Sequence, residues 1–473
     1  MPQPNIVYLM YDQARASAMG FMGNAHVPTP FTDSLAQRGW QFSQAYAASS
    51  ICTPSRASVH TGVHPLVHQV TCHQNRAPCN VPQLAELMTA GGYYAAVAGH
   101  YEPERNLGRG WHEQVPMHER GPLYESWLAH LRCGRKDVGW SSGAIDADAA
   151  DGNSARLTDR ITRMIRAAKA SKMPVFLHLC YDDPHPPYFA PRPYDTLVDP
   201  AGLPLPPRGR DDELPPWQAQ CREECGTDRA SEMDIRRVVA TYYGMVAYID
   251  DQFRRVHQVL EQEGLTENTW IIVGSDHGDY TGEKGLFNKS ESLYECLHHV
   301  PLIIVPPEGT SRRGSSRIDS LVSTVDLFPT ILNLAGLEAP EYTQGHDLLP
   351  WIAQGAREPL RDAVFAQVGD YHGFMGSTFP TGIAASGRHP SLLQCARTAT
   401  CSYIRDPDYG DEAYDLRTDP HELRNLMNPG AGPLPEEADT LRRRIGEFEE
   451  ECLALRESMN VIPGDRGFVS GWE

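Results

Sequence analysis

VVATYYGMVAYIDDQFRRVHQVL, residues 238–260, runs within nine residues into TWIIVG, residues 269–274. In the first stretch Tyr242, Val246, Ile249, Phe253, Val256 and Leu260 recur at steps of 4, 3, 4, 3 and 4. That is the period of one helix face turned to a core. The second stretch is a short apolar run rich in β-branched residues, which reads as a buried strand. A helix feeding directly into a buried strand is the repeating unit of an α/β fold.

The same alternation extends outward. Asn5–Tyr11, Tyr93–Ala98, Pro174–Tyr181 and Pro301–Val305 read as strands. Pro30–Arg38 reads as a short helix, with Gly39 as its stop. Buried strands between amphipathic helices predict a mostly parallel sheet covered on both faces. Ligands of such sheets bind beyond the carboxyl ends of the strands. Ser141–Asn153 and Asp199–Arg229 are rich in Pro, Gly and charge without clean periodicity, and read as long surface excursions beside a pocket. After about residue 355 the pattern changes to short strand-like pieces and a charged helix near Pro435–Met459. Two units are expected: a catalytic α/β domain, 1–355, and a smaller C-terminal α+β subdomain, 356–473.

Composition narrows the function. The 473 residues carry a formal charge of −19, which argues against nucleic acid or an anionic membrane as partner, since both need basic surface. An anionic substrate stays open, because a bound cation and a few Arg, Lys or His residues reverse the potential locally. No run approaches the ~20 apolar residues of a membrane helix. Met1–Met10 lacks the basic start and long apolar stretch of a signal peptide, so the chain as it stands is expected to be soluble and cytoplasmic. Eleven scattered cysteines do not form a disulfide framework. Cys221 and Cys225 have the spacing of zinc ligands but no second pair to match, and read as unpaired thiols. Homo-oligomerisation is left open.

Asp12 and Gln13 follow the first strand directly, and Asp276 and His277 follow a later one. Both pairs belong at the carboxyl edge of the sheet. Carboxylates, an amide oxygen and an imidazole together suit a divalent cation.

Cys52-Thr53-Pro54-Ser55-Arg56-Ala57-Ser58-Val59-His60-Thr61-Gly62 resembles the signature of the sulfatases at every fixed position. Other stretches follow in that family's order. Tyr181–Pro187 is similar to its Asp-Pro-His-x-Pro loop, Gly274–Asp279 to its second metal loop, and Gly285–Lys289 to the run bearing its sulfate-contacting lysine. Val325–Thr330 resembles the helix that comes next, and Tyr414–Leu426 its C-terminal hallmark.

The resemblance implies an alkaline-phosphatase-like fold and a sulfuric ester hydrolase. It implies that Cys52 is oxidised to formylglycine by a formylglycine-generating enzyme. It implies one divalent cation, calcium with manganese as the alternative, on Asp12, Gln13, Asp276 and His277. An aldehyde hydrate carries two hydroxyls on one carbon. One attacks sulfur; deprotonating the other expels sulfate and regenerates the aldehyde. Arg56 would steady the hydrate, Lys289 would balance charge on the equatorial oxygens, and His185 would protonate the leaving oxygen of a small-molecule or glycan sulfate ester.

Two departures bear on the substrate. Asp12-Gln13 replaces the acidic pair of many sulfatases and resembles choline sulfatases and phosphonate monoester hydrolases. Gly99-His100-Tyr101-Glu102-Pro103 stands where sulfatases carry Gly-Lys-x-His, so His100 takes the lysine slot and Glu102 the histidine slot. Asn75, 23 residues after Cys52, falls near where relatives place a substrate-contacting asparagine. His73 and His64 are not counted as ligands. The sulfatase reading therefore has two rivals: a phosphonate monoester or phosphodiester hydrolase with the same nucleophile, and an inactive sulfatase-like binding protein.

Overall fold

A computed structural model describes residues 3–73, 75–102, 106–117, 142–210, 213, 215–308, 310, 316–356, 358–369 and 391–464. The strands of the first part are β1 (Asn5–Tyr11), β2 (Trp40–Tyr46), β3 (Tyr94–Gly99), β4 (Glu113–Pro116), β5 (Ser142–Asp148), β6 (Val175–Tyr181), β7 (Tyr188–Arg192), β8 (Thr269–Ser275), β9 (Leu302–Val305) and β10 (Ser316–Ser323). A second group follows: β11 (Val364–Gly369), β12 (Leu392–Arg397), β13 (Cys401–Arg405) and β14 (Glu412–Asp415). The principal helices are α1 (Pro30–Arg38), α2 (Cys52–Thr61), α3 (Leu84–Ala90), α4 (Asn153–Ala170), α5 (Glu232–Gln262), α6 (Leu327–Leu334) and α7 (Glu436–Ser458).

Eight strands form one sheet in the order β10-β2-β9-β8-β1-β6-β3-β4. Neighbours are parallel except where β9 pairs antiparallel with β2 and β8. β1 shows why the sheet needs two helical layers. Val7, Leu9 and Tyr11 enter the core shared with α1, α4 and α5, while Ile6, Tyr8 and Met10 enter the core shared with α3 and α6. A strand with both faces apolar leaves no side for water. α5 is longer than its apolar stripe because Ser231 and Asp234 close a capping box at its start.

Two segments read as irregular excursions contain regular structure. Ser142–Asp148 is a strand paired in parallel with Tyr188–Arg192, and Pro216–Cys225 is a helix. Neither carries a clear apolar period, because the helix places Trp217 and Cys221 in a small core against Tyr280 and Tyr294 rather than along a long stripe. Ser141, Asp211, Asp212 and Leu214 of those segments, and Pro103, lie outside the described residues.

The second sheet is antiparallel, in the order β11-β12-β13-β14, with α7 packed on β12 and β13 through Ala438, Leu441 and Ile445. Buried charges dock it to the first part. Arg397 Nη1 donates to Glu422 Oε1 at 2.7 Å, and Glu422 Oε2 accepts from the backbone of Glu295 at 2.6 Å. The nine cysteines whose thiols are described are all free, and eight of them are buried. Cys225's side chain lies outside the described residues, so the Cys221–Cys225 pair is not resolved as a unit. Among the described residues no helix is long and apolar enough to cross a membrane.

Register places the chemistry. Tyr11 lies opposite both Tyr181 and Ser275, so Asp12, Asp182 and Asp276 leave three adjacent strands at one level. Gly99, opposite Cys180, ends β3 beside them with φ +96°, and a Cβ there would come within 1.7 Å of the Cys180 carbonyl oxygen. Gly92, at φ +87°, has open space around it. Gly99→Ala should therefore lower the thermal midpoint well beyond the backbone cost of roughly 1–2 kcal/mol that a left-handed residue carries, whereas Gly92→Ala should show that backbone cost alone. Equal midpoints for the two variants would refute the close approach at the end of β3.

Candidate active site

α2 begins at Cys52, and every one of its ten residues is buried. Gly62 ends it in the left-handed conformation, its backbone N–H returning to Ser58. The first turn of α2 points at the carboxyl edge of β1 and β8. Arg56, one turn in, donates from Nη2 to Asp12 Oδ2 at 2.6 Å and from Nε to Asp276 Oδ2 at 3.0 Å. One guanidinium thus clamps both aspartates. Burial works against the Asp12 carboxylate, but Arg56, His185 and His100 outweigh it and hold its pKa well below the usual range.

Cys52 Sγ stands 3.0 Å from His277 Nε2, 3.0 Å from Lys289 Nζ and 3.8 Å from Asp12 Oδ1. Burial and the Asp12 charge push this thiol well above its ordinary pKa, despite Lys289.

Asp12, Cys52, Asp276 and His277 bring their donor atoms within 4.8 Å of one another, all buried. His277 is oriented for a cation. Its Nδ1 faces the Gly278 carbonyl at 2.9 Å, which leaves Nε2 and its lone pair toward Cys52 and the aspartates. Burial lowers its pKa to about 4, so the ring is a neutral donor. Gln13 turns its amide oxygen to the same centre, where Oε1 accepts from Lys289 Nζ at 2.8 Å. Its Nε2 is held by Asp279 Oδ2 at 2.6 Å and Asn288 Oδ1 at 2.8 Å. Three oxygen-bearing side chains and one neutral imidazole around a common point fit a divalent cation.

His100 leaves β3 toward this centre. Its Nδ1 lies 2.9 Å from Asp12 Oδ2 and 3.4 Å from Asp182 Oδ1. Burial and Arg56 oppose a charge on it, but the hydrogen bonds to the two aspartates raise its pKa to about 10. His185 is half-buried, with Nδ1 2.6 Å from the Pro186 carbonyl, and burial together with Lys289 lowers its pKa. Asn75 is buried, and its Oδ1 accepts from Thr71 and Cys72, hydrogen bonds that close its own loop.

Some residues around the site have no role in the sequence reading. Asp279 holds Gln13 and also accepts from Tyr188 Oη at 2.8 Å; Asn288 bridges Gln13 and the backbone of Lys289. Tyr242 Oη donates to the Gln13 carbonyl at 2.9 Å. Thr53 Oγ1 joins Glu102 Oε1 and His73 Nδ1, each at 2.9 Å, so His73 does reach the residue beside Cys52. His64 instead packs edge-on against Phe448. The only sequence signal for Asp279 and Asn288 is their place inside stretches quoted for their neighbours.

Comparison with known proteins gives this arrangement a family. Residues 4–337 match the sulfatase family, and residues 282–445 match the family described as N-sulphoglucosamine sulphohydrolase, C-terminal. The arylsulfatase of Clostridium perfringens is 28% identical, with 98% of each chain covered. The ulvan-active sulfatase of Formosa agariphila is 26% identical over 100% of this chain and 87% of its own length. Among solved structures, the phosphonate monoester hydrolase of Silicibacter pomeroyi superposes with a TM-score of 0.74 at 25% identity, covering 96% of each chain. With a family match over most of its length, the chain belongs to the sulfatase family of sulfuric ester hydrolases.

Proposed function

We propose that this enzyme hydrolyses sulfate esters with formylglycine, formed from Cys52 by a formylglycine-generating enzyme, as its nucleophile. One divalent cation, calcium, is held by Asp12, Gln13, Asp276 and His277. The observation that carries the reading is the position of Cys52 Sγ, 3.0 Å from both Lys289 and His277 at the mouth of a buried helix. That sulfur stands in for the oxygens of the hydrated aldehyde. The bound cation lowers the pKa of a hydroxyl and neutralises the transferring group. Oxygen-rich ligation favours calcium; the neutral His277 makes manganese the alternative.

The side chains divide the remaining work. Arg56 holds both aspartates in place. Lys289 presents its ammonium to the oxygens of the transferred group. Asn75 and His100 flank the same oxyanion. His185 supplies a proton to the departing oxygen. The substrate is a small-molecule or glycan sulfate ester, a class to which the names of the arylsulfatase and ulvan-active relatives point.

The phosphonate monoester hydrolase reading is kept for one observation. His100 spends its Nδ1 on Asp12 and Asp182, so the charge it carries is already paired within the site rather than held out to a sulfate group.

In active enzyme, peptide mass spectrometry should show the Cys52 thiol replaced by an aldehyde, and elemental analysis one equivalent of calcium or manganese. Full activity with an intact thiol would rule out the nucleophile. His185→Ala should slow esters of basic leaving groups by roughly 10²–10⁴-fold and activated aryl esters little. Because burial lowers the His185 pKa, its protonated form is present below that pKa and is lost as pH rises through it. Turnover of poor leaving groups should accordingly fall on the alkaline side in wild type, and His185→Ala should erase that limb. Equal losses across the leaving-group series would remove the acid role. His100→Lys should shift the ratio of kcat/KM for paired sulfate and phosphonate esters toward sulfate; an unchanged ratio would place substrate choice elsewhere.

A further inference from the structure

At the amino end of β8, six residues separate the end of α5 from the strand that it feeds. His257 and Glu261 stand one turn apart on α5, at the i, i+4 spacing that puts two side chains over one spot. Glu308 comes from the loop after β9, and its backbone N–H donates to the Thr266 carbonyl at 3.2 Å. One donor atom of each residue lies within 4.8 Å of the others. Seven residues of β8 separate this place from Asp276, ~20 Å at about 3.3 Å per residue.

The imidazole makes the group more than two surface carboxylates. His257 is 6% exposed, packed against the ring of Phe31, and its buried Nε2 makes no hydrogen bond among the described residues. That nitrogen faces Glu308 Oε1 at 3.5 Å, while Nδ1 faces Glu261 Oε1 at 3.4 Å. Burial lowers the ring's pKa, which keeps a lone pair available. A tetrahedral ion with bonds of about 2.0–2.2 Å holds its donors roughly 3.3–3.5 Å apart. With Nε2 as donor, Glu308 already stands at that spacing, and the exposed Glu261 has room to swing inward. Arg38 Nη2, 3.0 Å from Glu308 Oε1, is the cation that an incoming ion would displace.

We infer that His257, Glu261 and Glu308 form a peripheral site for a first-row divalent cation of the zinc type, separate from the catalytic cation. One imidazole and two carboxylates leave positions for water, the pattern of an open N/O site. The ion would tie the end of α5 to the loop after β9, a cross-link that raises stability without touching the chemistry.

The test is calorimetric titration of the full chain with Zn²⁺ after saturation with Ca²⁺, alongside thermal melts and turnover. Wild type should take up a zinc equivalent and melt at a higher temperature. Glu308→Gln and Glu261→Gln are exposed changes that leave the fold intact. Each should weaken that equivalent by at least about tenfold, the lower bound for losing a supporting contact at a metal site, with turnover unchanged. Arg38→Ala should tighten it, and His257→Ala should abolish it. No zinc equivalent in wild type, or one unaffected by the Glu261→Gln/Glu308→Gln double variant, would overturn the site. No residue is shared with Asp12, Gln13, Asp276 and His277, so failure of the catalytic cation assignment would show as missing calcium or manganese and leave this result standing on its own.

Discussion

The active site depends on a single buried cation placed between two buried anions. Arg56 reaches from α2 to Asp12 beyond β1 and Asp276 beyond β8, with all three side chains almost wholly excluded from water. Two carboxylates in such a place repel each other and each costs desolvation energy. The guanidinium answers both at once, its Nη2 2.6 Å from Asp12 and 2.8 Å from Asp276 while Nε adds a second contact to Asp276, a spread that a forked donor provides. Taking away one partner of such a group typically costs about 3–5 kcal/mol, because an uncompensated charge stays behind. Arg56 therefore fixes more than its own hydrogen bonds. It sets the distance from Cys52 to the sheet edge and the charge state in which Asp12 meets His100.

Much of this was legible in the chain because the informative residues lie in unbroken local patterns. The apolar period of α5 and the runs at β1, β6 and β8 are set by which side chains must leave water, so they mark their own elements. Asp12 and Asp276 are readable as edge residues for the same reason: each is the first polar residue after an apolar strand. Cys52 and Arg56 sit one turn apart on one helix, and a single motif contains both. Expected positions for His185 and Lys289 likewise came from their own short stretches, and the structure brings both close enough to influence Asp12 electrostatically.

What escaped the sequence depends on contacts between distant segments. Asp279 and Asn288 orient Gln13 across more than 260 residues, and Tyr188 reaches Asp279 from the start of β7. Nothing in their own neighbourhoods distinguishes them from turn formers. Asp182 is similar: it lies within Tyr181–Pro187 next to the Asp183-Pro184-His185 run and has no distinguishing pattern of its own, yet it shares His100 with Asp12. β5 was invisible because Ser142–Asp148 is short and mixed in polarity, and its pairing with β7 supplies the order that its side chains do not. β9 was readable as a strand but not as an antiparallel one, since direction is a property of its partners β2 and β8.

The 1% exposure of Cys52 has a consequence for the life history of the chain. Its neighbours Thr53, Pro54, Ser55 and Arg56 are sealed in as well, so another enzyme has no path to this thiol once the domain has closed. If Cys52 is to be converted, the window opens when residue 56 emerges during synthesis and shuts when β8 arrives, more than 200 residues later, to complete the clamp. Maturation and folding then race. A chain that folds too quickly is trapped as a stable, correctly shaped and inert product, and no later encounter rescues it. Under that condition the fraction of competent molecules would be decided by kinetics during synthesis rather than by the equilibrium stability of the finished fold.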